Sequence, residues 1–331
     1  MTEADLAALG VHRIAVPIPF VAAGGPVNLY VIEAADGSLT LFDAGFGSEE
    51  ARAALLAGFA RLGRRLAEVT RIVVSHGHVD HFGAARFVQE QGGAEVLAHP
   101  ADLPKIDAAG PRFADHAPAF DAHFARLGVP EAVRQALLRN GERSYGSASR
   151  LDGVRPLADG DVVEGRHVRF TVRHWPGHTP GLVALHEPRL GLLLPADHLL
   201  ERISPNPLIE LGPDGQDGFF RPLLAYQASL AQTRALDLEL VLPGHGPPFR
   251  GHRAVIDGLT AFYLKRQARL AAALQAGPRT AWQLCQELFP AAGPADAFLT
   301  MSETVANLEA LEARGEVARE ARGAGWAYRG R

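Results

Sequence analysis

The feature that most constrains this chain is the run His76-Gly77-His78-Val79-Asp80-His81, which begins where the β-branched stretch Arg71–Ser75 stops. Three further short motifs have the same layout, with an imidazole or carboxylate just past an apolar, strand-like run. They are Asp43 in LFDAG, Asp197 in PADH after Gly191–Ala196, and His245 in PGHG after Leu238–Leu242. His178, in WPGHTPG, follows the strand-like run Val168–His174. A strand fixes the direction of its last residues, and glycine lets the backbone come close to whatever those residues surround. Side chains placed this way converge if the strand ends share one edge of a sheet. The pattern therefore demands a layered α/β body.

The remaining punctuation agrees. Residues 11–47 read as three short strands. The stretch Ile14–Ile32 is uncharged and near the length of a membrane span, but it holds Pro17, Pro19, Gly24, Gly25, Pro26 and Asn28, which would leave backbone groups unsatisfied in lipid. It is better read as strands around Ile14–Pro17 and Val27–Glu33 joined by a turn. Helices are expected over Glu49–Leu62, with Ser48 as N-cap, and over Gly83–Glu90, stopped by Gly92-Gly93. Ala94–Ala98 is a strand.

Residues 100–150 change character and suggest helices over Asp115–Leu127 and Glu131–Arg139, an insertion that is either a cleft wall or a packed excursion. Strands Val168–His174, Leu182–His186 and Gly191–Ala196 precede the Pro-rich loop ISPNPLIE and a helix near Gly218–Leu236. Residues 252–331 give helices over Ala254–Ala276, Thr280–Leu288 and Glu303–Arg314, then a Gly/Arg-rich tail with room for a β-wing. The expected domains are 1–250, carrying the 100–150 insertion, and 251–331, winged-helix-like.

Composition excludes several classes. Acids outnumber bases 37 to 33, which argues against a basic nucleic-acid-binding protein. The single cysteine rules out an intrachain disulfide framework and a thiolate metal cage. The N-terminus is acidic and lacks the basic start of a signal peptide, so a cytoplasmic protein is expected.

Imidazole and carboxylate together are the ligands of Zn, Fe or Mn. Alternate residues of the cluster can serve two ions, His76 and His78 one of them, Asp80 and His81 the other. A cluster of imidazoles with no partners would be costly to bury. The scattered His12, His99, His116, His123, His167, His174, His186 and His252 read instead as packed or surface histidines.

The ordered set LFDAG, SHGHVDH, GHT, AD and PGHG resembles the metallo-β-lactamase superfamily over about residues 11–250. The resemblance implies an αββα sandwich with a two-metal site on one edge. It implies that His76, His78 and His178 hold one ion, that Asp80, His81 and His245 hold the other, and that Asp197 bridges. Asp43 would orient a ligand histidine, the alternative being a plain turn residue before Gly45. The implied chemistry is hydrolysis by a hydroxide shared between two divalent metals, zinc first, with iron or manganese fitting the same donors. Asp80 would also handle the leaving-group proton.

The absence of a nearby cysteine disfavours zinc β-lactamases of the cysteine-ligand type, and Leu200 stands where quorum-quenching lactonases carry tyrosine. The motifs are shared with the glyoxalase II-like branch, although no glutathione-binding tail is visible. The C-terminal region resembles that of β-lactamase-like endoribonucleases. A small thioester or ester is thus the expected substrate, with an endoribonuclease or phosphodiesterase activity, or a lactone or β-lactam hydrolase, as alternatives. Oxygen chemistry on iron is disfavoured by the full ligand set and by the lack of a flavodoxin-like domain.

Two rim positions stay open. His198 is a substrate contact or a packed histidine, and Arg202 meets an anionic substrate group or pairs with Glu201 on the surface. The mildly basic tail from Arg314 to Arg331 is read as a packing or homodimerisation module rather than a nucleic-acid reader.

Overall fold

The computed structural model describes residues 1–331 except 20–24, 147 and 213–217, together with the side chains of 144 and 145. Two sheets lie face to face. The first runs β1 (Val11–Val16), β2 (Val27–Glu33), β3 (Leu39–Phe42), β4 (Val69–Val73), β5 (Glu95–Ala98) and β6 (Arg155–Pro156), in that spatial order. Its first three strands pair antiparallel, and β3 to β6 are mutually parallel. The second has the order β11 (Leu240–Pro243), β10 (Leu192–Ala196), β9 (Val183–Glu187), β8 (Arg169–His174) and β7 (Val162–Glu164). In it β10 is parallel to β11 and antiparallel to β9, which is antiparallel to β8.

Burial explains the layering. Strands β2, β9 and β10 are almost wholly buried along their length, as expected when both faces of a strand are covered. Tyr30, Ile32, Phe42 and Val73 from the first sheet meet Phe170, Val172, Leu185 and Leu194 from the second. The outer face of the first sheet packs on α2 (Glu49–Arg61) and α4 (Ala85–Gly92) through Leu55, Phe59 and Val88. The outer face of the second packs on α8 (Pro222–Arg234) and α9 (His252–Ala273) through Val241, Tyr226 and Ile256. The result is an αββα sandwich.

Local signals set the boundaries. Ser48 caps α2 by accepting from the Ala51 amide, and Gly93 ends α4 in the left-handed conformation at φ 75°. Some boundaries differ from the sequence expectation. A short helix α1 (Glu3–Ala8), closed by a Thr2–Asp5 capping box, precedes β1. The motif residues Asp80 and His81 lie on a helical turn of their own, α3 (Val79–Phe82), before α4. The turn expected between β1 and β2, with Gly24, lies partly outside the described residues.

In the insertion, α5 (Leu103–Ile106) and α6 (Phe113–Arg126) are followed by α7, which continues to Gly146 rather than ending near Arg139. At the C-terminus, α10 (Ala281–Leu288) is capped by Thr280, and α11 (Ala297–Ala313) starts six residues before the expected Glu303. The tail forms an antiparallel hairpin, β12 (Val317–Arg322) with β13 (Gly325–Gly330). Phe120, Phe124 and Leu137 of the insertion share one core with Leu270, Leu284, Met301, Leu308 and Tyr328. The insertion and the C-terminal helices are therefore packed together.

Candidate metal centre

Topology brings the motifs together. The carboxyl ends of β3, β4 and β5 share one edge of the first sheet because those strands are parallel. The same ends of β8, β10 and β11 share one edge of the second. Backbone bonds stitch the two edges: the Val183 amide donates to Ser75 O at 2.8 Å, and the Asn28 amide to Gly244 O at 2.7 Å. Asn28 Nδ2 also donates to Gly246 O at 2.7 Å and to Pro243 O at 3.0 Å, which pins the PGHG loop.

At this seam lie His76, His78, Asp80, His81, His178, Asp197 and His245. Their ligand atoms form three overlapping groups, each within 4.8 Å: His76, His78 and His178; His76, His81 and Asp197; Asp80, His81 and His245. Asp197 lies between the groups. Its Oδ1 is 3.4 Å from His81 Nε2, and its Oδ2 is 3.6 Å from both His178 Nε2 and His245 Nε2. Asp80 Oδ2 is 3.6 Å from His245 Nε2.

For His76, His81 and His245 the partner of the second ring nitrogen says which one faces inward. Ser75 Oγ donates to Asp43 Oδ2 at 2.8 Å, so at 2.9 Å it accepts from His76 Nδ1, which leaves Nε2 of that ring without a hydrogen and 3.0 Å from His78 Nδ1. His81 Nδ1 donates to the same Asp43 oxygen at 2.8 Å. His245 Nδ1 reaches Pro26 O at 3.2 Å. Asp43 thus orients His81 directly and His76 through Ser75. Its backbone, at φ 62°, lies in the left-handed region; among the described residues the one other non-glycine residue there is Ala196, at φ 49°, just before Asp197. Strain of this kind at site-bearing turns persists only where surrounding contacts hold it, and three hydrogen bonds to Asp43 do so.

Charge is balanced within the cluster. Burial, then the neighbouring imidazoles of His81 and His78, keep His76 well below its ordinary range. Burial and His78 bring His178 down to about 4. Burial opposes ionisation of Asp197, but His245 and His81 outweigh it and hold the carboxyl well below the usual range. Burial likewise opposes the charge on His81, and Asp197 and Asp43 outweigh it in the opposite sense.

Several of these atoms are buried without a partner: His81 Nε2, both nitrogens of His178, Asp197 Oδ1 and His245 Nε2. Buried polar atoms in native folds are normally satisfied. Four of the five, His81 Nε2, His178 Nε2, Asp197 Oδ1 and His245 Nε2, face one another across the seam, and such a set of nitrogen and oxygen donors fits divalent cations.

The two rim residues part company. His198 is buried, its Nε2 2.7 Å from Thr233 Oγ1 and its ring against Trp175 and Tyr226. Arg202 is exposed and 3.4 Å from Glu201.

Three residues that sequence reasoning did not single out complete the site. Asp102, fully buried, accepts from the Gly77 amide and Thr179 Oγ1 at 2.7 Å and from the Gly181 amide at 2.9 Å, tying the HGH loop to the GHT loop. Glu210 faces His78 Nε2 at 3.1 Å, and Lys105 pairs with Glu210. Asp102 had one signal. Pro100-Ala-Asp102, just past β5, repeats the Pro195-Ala-Asp197 run that closes β10. Glu210 closes the Pro-rich loop and has no such sign.

Comparison with known proteins agrees with this geometry. The family model described as the metallo-beta-lactamase superfamily matches residues 22–245. A Bacillus subtilis protein named "probable metallo-hydrolase YqjP" is 34% identical over 316 residues, covering 95% of this chain and 94% of that protein. A metallo-beta-lactamase family protein of Thermus thermophilus superposes with a TM-score of 0.81 at 30% identity, covering 97% of this chain and 99% of the other. A beta-lactamase domain protein of Burkholderia ambifaria gives a TM-score of 0.81 at 28% identity, covering 97% and 92%.

Proposed function

The chain belongs to the metallo-beta-lactamase superfamily, and from that premise we propose that it is a dinuclear metal-dependent hydrolase of a small thioester or ester. The observation that carries this reading is Asp197, whose two oxygens face different histidines, one toward His81 and the other toward His178 and His245. In this reading His76, His78 and His178 hold one ion, Asp80, His81 and His245 hold the other, and Asp197 reaches both. The donors, all imidazole nitrogen or carboxylate oxygen, suit zinc, iron and manganese alike, and zinc is the ion we assign first for the test. A metal pair in such a site supplies Lewis acidity and an activated water.

The chain's own residues do the rest. Asp43, Ser75 and Pro26 O hold the rings of His76, His81 and His245, which limits the reorganisation needed when charge develops. Asp80, with Oδ2 near His245, is the carboxylate placed to carry a proton to the leaving group. A small-molecule substrate and a cytoplasmic setting belong to the same reading; among the described residues no helix is long and apolar enough to cross a membrane.

The test is thiol release from a panel of acyl-CoA and glutathione thioesters by zinc-loaded protein, with Asp80→Ala as the blank. Turnover by the parent alone supports the reading. No turnover with two equivalents of metal bound overturns the thioester assignment and moves the panel to lactones, β-lactams and phosphodiesters.

A further inference from the structure

We propose that Glu210 and Lys105 form a positioning device for the metal centre, in which Glu210 fixes the ring of His78 and Lys105 fixes Glu210. The proposal deepens the two-metal reading and rests on it. Four of the five clustered histidines have a partner on one ring nitrogen. For His76, His81 and His245 that partner comes from the loops at the strand ends. His78 is the exception. Its Nδ1 lies 3.0 Å from His76 Nε2, inside the group formed with His178, while its Nε2 lies 3.1 Å from Glu210 Oε1. The two nitrogens face opposite ways, so a carboxylate accepting from Nε2–H leaves the Nδ1 lone pair aimed at the cluster. Glu210 itself is in none of the ligand groups.

Both oxygens of the carboxylate have a partner. Its second oxygen, Oε2, pairs with Lys105, whose Nζ is also 3.7 Å from Asp102. Glu210 is buried, and its carbonyl accepts from the Phe220 amide at 2.8 Å. The preceding Ile209 amide donates to Ser302 Oγ at 3.1 Å. A buried ion pair is poor evidence of stabilisation, because desolvation consumes most of its Coulomb gain. A buried carboxylate whose two oxygens are divided between a lysine and a ligand imidazole has a use that a plain ion pair lacks: it sets the tautomer and ring direction of the metal ligand. Lys105 comes from the insertion and Glu210 from the Pro-rich loop, so both segments outside the sandwich are recruited to one histidine.

The experiment titrates zinc into metal-free protein by calorimetry against a competing chelator, for the parent, Glu210→Gln and Glu210→Ala. Loss of an outer partner of a ligand histidine typically weakens metal binding about 10- to 100-fold. We expect one of two zinc affinities to fall by about that factor, less in Glu210→Gln, which keeps an acceptor oxygen, and the other to stay within about twofold. A general structural defect would not split the two affinities. Two unchanged affinities in both variants overturn the proposal. If Glu210→Ala gives no cooperative melt, Glu210→Gln decides alone, and a drop smaller than about threefold overturns it. A parent protein that takes up fewer than two ions sinks the two-metal reading, and this proposal with it, before any variant is compared.

Discussion

Asp102→Asn tests whether the metal-site loops are held by one buried carboxylate. Asp102 accepts two hydrogen bonds on Oδ2, from the Gly77 amide and Thr179 Oγ1, and one on Oδ1, from the Gly181 amide. An asparagine turned the better way keeps its oxygen toward Gly77 and Thr179 and presents its NH₂ to the Gly181 N–H. Bonds to a charged acceptor are worth about 1.5–3 kcal/mol and neutral ones about 0.5–1.5, while a buried donor left unmade costs about 1–3. Two weakened bonds and one orphan therefore sum to about 3–5 kcal/mol. For a chain of this size, about 2 °C per kcal/mol converts this to a melting-temperature drop of about 6–10 °C. The assay is thermal unfolding of the metal-free protein, with Asp152→Asn, an exposed carboxylate, as the control expected to stay within about 0.5 kcal/mol of the parent. Metal-free Asp102→Asn melting within about 2 °C of the parent would refute the reasoning, since the loops would then be held by something else.

Other outcomes follow from the same geometry. A Cβ on Gly244 would land on Asp197 Oδ1 and lie 3.0 Å from the Ala196 carbonyl carbon, so Gly244→Ala should cut zinc affinity by at least about tenfold; parent-like affinity in a metal titration would contradict this. Stripping the metal should lower the melting temperature, and zinc at about 100 times its Kd should restore about 2.7 kcal/mol; a melt insensitive to zinc would speak against the cluster as a metal site. Burial, opposed by Arg221, pushes the Glu309 carboxyl up from 4.5 to about 8. A raised folded-state value means that the folded chain binds the proton more tightly, so this contribution is full below about pH 4.5 and is lost as pH rises to about 8. Glu309→Gln should therefore gain on the parent in chemical denaturation at pH 8 relative to pH 5; equal differences at both pH values would reject the assignment.

What could be read in the sequence and what could not divide along a physical line. His76, His78, Asp80, His81, His178, Asp197 and His245 are legible because each follows a strand, and parallel strand ends must share an edge. Asp43 is legible for the same reason, as the residue after β3. Lys105 and Glu210 are not: they stand 105 residues apart, on a short helix and an irregular loop, where no periodicity fixes direction. The insertion posed the same difficulty. As sequence it is either a cleft wall or a packed excursion, and the structure divides it: Asp102 and Lys105 reach the metal-site loops, while α6 and α7 join the C-terminal core.

This division bears on where stability resides. Five imidazoles and two carboxylates, Asp80 and Asp197, crowd one seam, and several of their atoms have no protein partner. Each such atom costs free energy when buried, so the metal-free fold holds the cluster together only through contacts made behind it. Those contacts are Asp43 under His76 and His81, Asp102 under two loops, Asn28 under the PGHG loop and Glu210 under His78. Weakening any one of them should therefore be felt more strongly in the metal-free protein than in the loaded one, because a bound ion satisfies the orphaned atoms that the scaffold otherwise keeps in place against their own cost.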